Sequence, residues 1–304
     1  LEGGNTLPAK VVVSEAWKMI HDRIEDKSLI DDVYTGIGKI IIPNGLCIIA
    51  ARPSMGKTSF SLQLCNNIAI DHGVPTMLFS LEMKSHQVMR WIISQRTQIP
   101  NEQLKLGRLD QDEINAMEAA VGVIEKAPLY INDKPGINVF QIRSELIRLK
   151  NKYELGLVII DYLQLISGIT TRGKVKNREN EVSEISRQLQ MVHKELNIPL
   201  IALCQLNRSV MDRKEAIPQL HHLRESGSLE QDADFVAFLH RPEYYDVETF
   251  DSGPKAGQST AGICQFIIRK YRDGKLGGYD IKFIPEKVSF KSIDEEKDEP
   301  FSDF

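Results

Sequence analysis

No stretch of roughly 18 consecutive apolar residues occurs in this chain, so none of it reads as a membrane-spanning helix. The opening, LEGGNTLPAK, is polar and lacks the apolar core of a secretory signal. A start at Leu1 rather than methionine is expected of a piece of a longer protein, one that would carry a further N-terminal domain. Cysteine is scarce: Cys47, Cys65, Cys204 and Cys264 lie far apart, three of them in apolar runs. That distribution argues against a disulfide framework or a thiolate metal site and predicts buried free thiols in a reducing compartment. The 7 histidines show no ligand spacing, and the adjacent His221 and His222 are expected to point different ways on regular structure. Excess positive charge is missing too, since the net charge is −4. The final DEEKDEPFSDF holds six acids against one lysine, so the rest of the chain is close to neutral and any grip on polyanions must be local.

What remains is a 304-residue chain, 42% hydrophobic, able to bury one large core or two modest ones. Strand and helix patterns alternate along it. SEAWKMIHDRIED opens with a plausible cap, Ser14, and sets Ala16, Trp17, Ile20 and Ile24 on one helical stripe. Leu46–Ala50 reads as a strand, Thr58–Ile70 as a helix and Thr76–Glu82 as a second strand, with Ser85 capping a helix to about Arg96. Helices near Asp110–Glu125 and Asn138–Lys152 follow. Leu157–Asp161 and Pro199–Gln205 are apolar on both faces, as a helix-covered parallel sheet requires. Between them Val182, Ile185, Leu189, Val192 and Leu196 keep helical spacing. The end changes character: ADFVAFLHR, GICQFIIRKYR and GGYDIKFIPEKVSF read as strands joined by turns, with Asp273-Gly274 a hairpin turn. No internal repeat is visible. The expected class is α/β, with a mainly parallel sheet and an antiparallel C-terminal edge. The expected divisions are an N-terminal arm with a helix over 1–32, one domain over 33–291 and an acidic, solvated tail over 292–304.

The chemistry concentrates at strand ends. CIIAARPSMGKTSFSLQL carries A-R-P-S-M-G-K-T, the phosphate-loop pattern with Ala51 at its first glycine. A buried strand feeding a tight loop into a helix start would turn backbone N–H groups toward phosphate oxygens. Gly56 permits close approach, Lys57 would reach the outer phosphates and the Thr58 hydroxyl would bind Mg²⁺. A G-K-T at a helix start also arises by chance, so the other strand ends decide. Asp161 closes LVIID, where open α/β sheets bind ligands, and suits a carboxylate holding magnesium through its water shell. Glu82 follows the neighbouring strand and is placed to activate a water, while the Gln205 amide is placed to contact a terminal phosphate. Taken singly each is ordinary loop chemistry; together they point to ATP hydrolysis. Two further loops carry local charge: SGITTRGKVKNREN, with Arg172, Lys174, Lys176 and Arg178, and HHLRESGSLEQDAD. A charge run of the first kind is equally a plain surface loop, and neither loop interleaves aromatics, so base stacking is not expected.

AARPSMGKT, FSLEM, IIDYLQLI, LCQLNRS and LRESGSLEQDAD, in this order and spacing, closely resemble the motifs of DnaB-type replicative helicases. The similarity runs from about Tyr34 to about Phe290, Ala51 is itself usual there, and the abbreviated YTGIGKIIIPNGL fits a bacteriophage member. The resemblance implies a RecA-like core in a homohexameric ring, translocating 5′ to 3′ on single-stranded DNA with ATP and Mg²⁺. It also implies a cytoplasmic setting, in a bacterial or phage-infected cell. By matching position, Lys57 and Thr58 are the phosphate-loop pair, with Ser54, Met55, Gly56, Ser59 and Arg241 completing the nucleotide contacts. Glu82 is then the catalytic base, Asp161 the second magnesium residue and Gln205 the γ-phosphate sensor. RKYRDGKLG resembles the family's finger hairpin, with Arg272 entering a neighbour's site and Lys270 assisting. Arg224, Glu225 and Gly227 would hold DNA phosphates, joined by Arg172, Lys174 and Lys176. A helicase loader and primase are partners implied for the full-length protein. A strand-exchange ATPase of the same fold, or a slow nucleotide-regulated assembly protein, remain the alternatives at this point. Filaments would mark the first; hydrolysis indifferent to DNA would mark the second.

Overall fold

The computed structural model describes residues 8–10, 13, 14, 17, 32–168, 178–206, 217–250 and 256–293, with the side chains of 32, 34 and 224–228 excepted. Two short strands, β1 (Asp32–Tyr34) and β2 (Ile41–Pro43), pair as an antiparallel ribbon ahead of the main sheet. The sheet is built from β3 (Leu46–Ala51), β4 (Thr76–Ser80), β5 (Leu129–Asn132), β6 (Leu157–Asp161), β7 (Leu200–Gln205), β8 (Phe235–His240), β9 (Ile263–Tyr271), β10 (Gly277–Ile284) and β11 (Ser289–Ser292). Their spatial order is β11-β10-β9-β8-β3-β7-β6-β4-β5. The run from β8 to β5 is parallel, and β9, β10 and β11 close one edge antiparallel.

Strand pleating explains why the parallel strands are apolar throughout. In β3, Leu46, Ile48 and Ala50 face one apolar layer, covered by the helices Val139–Tyr153 and Arg178–Leu196. The alternate residues Cys47, Ile49 and Ala51 face the other, with Phe60, Leu64, Val88 and Ile92 of the helices Lys57–Leu64 and Ser85–Thr97. All four cysteines are free and buried, and burial pushes the Cys65 and Cys264 thiols up to about 12. Among the described residues no helix is long and apolar enough to cross a membrane.

Several local expectations need correction. The second strand stops at Ser80, because the Ser80 hydroxyl donates to the Met83 carbonyl at 2.8 Å and turns the chain, leaving Glu82 in the bend beyond. Ser85 is the first residue of its helix and not its cap: its amide donates to Asp133 Oδ2 at 2.9 Å from another segment. The helix after the glycine-lysine-threonine step starts at Lys57 and continues from Cys65 to Asp71 with a wider winding. The rings of His221 and His222 lie 4.0 Å apart, edge to face, because the segment is a tight 3-10 turn and not a strand or α-helix. Sequence periodicity also missed β1, β2, β5 and the helix Asn101–Leu106, all too short to show a repeat. Asp110 and Asn138 do cap their helices, accepting from Glu113 and Gln141 amides at 2.8 and 3.0 Å. In the N-terminal arm Val13 and Trp17 are exposed, while Ile20 and Ile24 lie outside the described residues. The acidic tail from 294 onward lies outside them too.

The antiparallel edge is packed onto the Lys57 helix by aromatic rings. Phe60 meets Phe266 and Phe290, each at 5.5 Å between centroids, and Phe283 meets Phe290 at 4.7 Å. Gln95 reinforces the join, donating to Ser59 O at 2.8 Å and Val288 O at 2.7 Å. Gly56 sits in this contact with φ +92°, and a Cβ there would stand 2.9 Å from Phe290 Cζ. Gly56→Ala therefore meets both a left-handed backbone cost of about 1–2 kcal/mol and a ring collision. A thermal melt is expected to fall by about 2–8 °C. An unchanged melting temperature would show that the loop relaxes freely away from the ring.

Candidate active site

The parallel register brings four sequence-distant groups to one end of the sheet. Ala51, which ends β3, lies opposite Gln205, which ends β7. The β6–β7 ladder runs to Ile160 opposite Ala202, and Ser80 of β4 lies opposite Asp161 of β6. β3, β7, β6 and β4 are thus consecutive neighbours, and their carboxyl ends line one crevice, the usual ligand position in open α/β sheets.

Between Ala51 and Lys57 the chain makes a tight loop in which Ser54 (φ 65°) and Gly56 (φ 92°) are left-handed. Met55 and Ser59 are buried, Ser54 is exposed at the tip, and the next helix starts at Lys57. The first amides of that helix have no intrahelical acceptors and face the crevice, a ready acceptor of anionic oxygens. Lys57 is 8% exposed, with Nζ 4.5 Å from the centre of the Tyr162 ring. Burial lowers its pKa, an effect opposed by the charges of Asp161, Cys204 and Glu82. Asp161 is 2% exposed and hydrogen-bonded to Thr58. Burial raises its pKa to about 6 against the ordinary 3.8; the Thr58 bond and Lys57 oppose that rise, and Glu82 adds to it. Glu82 itself is exposed at the crevice mouth.

The residues fit a divalent cation. Asp161 Oδ1 is buried without a protein hydrogen-bond partner, beside the Thr58 hydroxyl, and a hard oxygen pair of this kind suits magnesium with its water shell.

Arg241 lies beneath the loop. Its guanidinium donates to Ser54 O at 3.4 Å and Glu243 Oε1 at 2.6 Å and stands 4.4 Å from the Phe283 ring centre. Sequence reasoning missed Tyr162 and Arg52. Arg52 is 1% exposed and stands 4.9 Å from the Tyr245 ring centre. The only cue for it was an arginine inside an otherwise small-residue loop.

Arg272 and Lys270 lie at the other end of the sheet. Arg272 donates to Asp234 Oδ1 at 2.7 Å and to Gln231 O at 3.2 Å. Asp234 in turn accepts from the Leu46 amide at 3.0 Å, where β3 begins. Lys270 Nζ binds the carbonyls of Glu230 and, at 3.3 Å, Gln231, which end the helix Gly227–Asp232. The length of β3, five residue steps or roughly 17 Å, therefore separates Arg272 from its own phosphate loop. The backbone of Arg224 and Glu225 belongs to the 3-10 turn Leu220–Ser226 that leads into Gly227 and this helix. Their side chains, and Arg172, Lys174 and Lys176 altogether, lie outside the described residues.

A family model described as the DnaB-like helicase C terminal domain matches residues 29–292. The chain belongs to that family. The replicative DNA helicase DnaC of Bacillus subtilis (strain 168) is 38% identical over 286 residues, covering 93% of this chain and 60% of the relative. The replicative DNA helicase DnaB of Geobacillus stearothermophilus is 38% identical over 285 residues, with the same coverage of 93% and 60%. This DnaB-like domain therefore spans about 60% of the length of these curated relatives. The solved ATPase domain of a phage helicase superposes with a TM-score of 0.80 at 33% identity, covering 93% of this chain and 99% of that one. A DnaB-like replicative helicase, solved to show its interactions with primase, gives 0.77 at 33% identity, covering 92% and 66%. The fold is that of RecA-like helicase domains.

The raised Asp161 pKa of the DnaB-like domain has a measurable consequence. The folded group holds its proton up to about pH 6 whereas the unfolded one releases it near 3.8, so its contribution to stability falls as pH rises through that window. Asp161→Asn removes this cost. Without nucleotide, the variant is expected to be more stable than the parent at pH 7.5 by about 1–3 kcal/mol, with a flatter pH profile from 4 to 6, while hydrolysis is lost. Denaturant titration across pH checks this, and a destabilised variant at pH 7.5 would contradict it.

Proposed function

We infer that this chain is the ATP-hydrolysing motor domain of a replicative DNA helicase. It works as a homohexamer that translocates 5′ to 3′ on single-stranded DNA and unwinds the duplex at the fork. The observation that carries this reading is the separation of the two halves of the chemistry. Lys57, Thr58, Glu82, Asp161 and Gln205 gather at one end of the sheet, and Arg272 stands roughly 17 Å away at the other. A finger at that distance serves a different subunit's nucleotide, as a ring of identical head-to-tail contacts permits.

The roles follow from position. The helix-start amides and Lys57 bind the phosphates. Thr58 and Asp161 would hold the magnesium, which supplies charge compensation on the β and γ oxygens. Glu82, exposed at the mouth, orients and deprotonates the attacking water. Gln205 contacts the γ-phosphate, and the neighbour's Arg272, helped by Lys270, meets the charge that develops in transfer. Arg241 acts from below, through the loop carbonyl it binds. Ser59 and Met55 are buried packing under the same loop.

The segment 220–232 gives the motor a shape. Its first turn sits by the phosphate loop: burial, then the charges of His221 and Arg52, hold His222 below its ordinary pKa. Its last carbonyls are held by Lys270 and Arg272. DNA phosphates on Arg224, Glu225 and Gly227, with Arg172, Lys174 and Lys176 in support, would thus act on an element that touches both halves of the chemistry. Backbone tracking of this kind suits movement along any sequence. Loader and primase contacts belong to the full-length protein, and its setting is the cytoplasm of a bacterial or phage-infected cell.

Hydrolysis measured with and without single-stranded DNA, alongside native mass, tests the reading. DNA is expected to stimulate a six-subunit assembly. Arg224→Ala is expected to lower that stimulation and to reduce the log–log salt slope of DNA binding by about 0.7 for one lost phosphate contact. DNA-indifferent hydrolysis in the parent, or an unchanged slope in the variant, would count against it.

A further inference from the structure

β6 and β7 do not end together. Their ladder stops at Ile160 opposite Ala202, whereas β7 continues along β3 to Gln205 opposite Ala51. On its β6 side, the backbone of Gln205 has therefore outrun its partner strand and needs another pair of hydrogen-bonding groups. The Gln164 side chain supplies both. Its Nε2 donates to Gln205 O at 2.9 Å, and its Oε1 accepts from Gln205 N at 3.2 Å. Nε2 also lies 3.1 Å from Cys204 Sγ. A primary amide carries one carbonyl and N–H donors on one plane, so it mimics a peptide group and extends β6 where the main chain has turned away.

Gln164 is itself firmly placed. It is the middle residue of the 3-10 turn Leu163–Leu165 that follows Asp161, closed by Leu165 N to Tyr162 O at 2.9 Å and Ile166 N to Leu163 O at 3.1 Å. Its own carbonyl accepts from the guanidinium of Arg178, the first residue of the helix Arg178–Leu196. Gln205 is thus fixed from two sides, by β3 through the ladder and by Gln164 through this amide.

We propose that Gln164 is a positioning residue for hydrolysis, holding the Gln205 backbone so that its side-chain amide faces the terminal phosphate. The proposal rests on the reading of Gln205 as the γ-phosphate contact. Gln164 touches neither nucleotide nor water, and its effect passes through Gln205. It therefore bears on turnover of a triphosphate and not on binding of a diphosphate.

The test is a double-mutant cycle on the assembled protein with saturating single-stranded DNA. It uses Gln164→Met, which keeps length and removes both polar atoms, Gln205→Ala, and the two combined. Gln164→Met is expected to lower kcat about tenfold, the scale of losing two hydrogen bonds that fix one group, with KM for ATP and Kd for ADP within about twofold of the parent. The combined variant is expected to be no slower than Gln205→Ala alone. If ADP binding shows that Gln164→Met has not folded, Gln164→Glu, which keeps an acceptor for the Gln205 amide, takes its place in the same cycle. Parental kcat in the Gln164 variant, or losses that multiply in the combined variant, would overturn the proposal while leaving Gln205 its role. Parental kcat in Gln205→Ala would instead overturn the reading of Gln205, and the proposal with it.

Discussion

The parallel hydrogen-bond register of β3, β7, β6 and β4 makes neighbours of Ala51, Gln205, Asp161 and Ser80, residues that lie far apart along the chain. Shifting any pair of these strands by one residue would exchange its two faces and misplace its end. Core packing and chemistry depend on the same pairing. The alternation that sends Ile48 to one apolar layer and Ile49 to the other also decides where Asp161 and Gln205 emerge.

That register has an energetic cost at the site. Asp161 is nearly inaccessible, its Oδ1 lacks a protein partner, and burial holds its pKa near 6. Lys57, also buried, is only part of the compensation. The arrangement is pre-organised for a polyanion and a cation together, and less comfortable without them, as expected where function rather than stability has set the residue. The aromatic join of Phe60, Phe266, Phe283 and Phe290 then holds the phosphate-loop helix against the antiparallel edge. The same edge carries Arg272 on its far end, so one rigid sheet fixes the distance between the two halves of the chemistry.

Much of this was legible in the sequence because strong signals lay in regular elements. The apolar runs of β3, β6 and β7 announced buried parallel strands, and the polar groups at or just beyond their ends marked the crevice. What was not legible came from short elements and from side chains that stand in for backbone. β5 has 4 residues and the helix Asn101–Leu106 has 6, too few for a period to appear. Gln164 sits in DYLQLI as a lone polar residue among apolar ones; its meaning depends on where β6 stops relative to β7, which no local pattern encodes. The docking of Arg272 on Asp234 was equally invisible, since the two are 38 positions apart.

The central claim is that the two ends of the sheet serve different nucleotides, so that each site is completed by a second copy of the chain. Mixing two inactive variants measures this directly. Lys57→Ala destroys a subunit's own site and keeps its finger, and Arg272→Ala does the reverse. After subunit exchange, the mixture is expected to recover DNA-stimulated hydrolysis at the minority of interfaces that pair an intact phosphate loop with an intact finger. No recovery, with exchange confirmed by native mass, would contradict the account and place Arg272 in the service of its own chain.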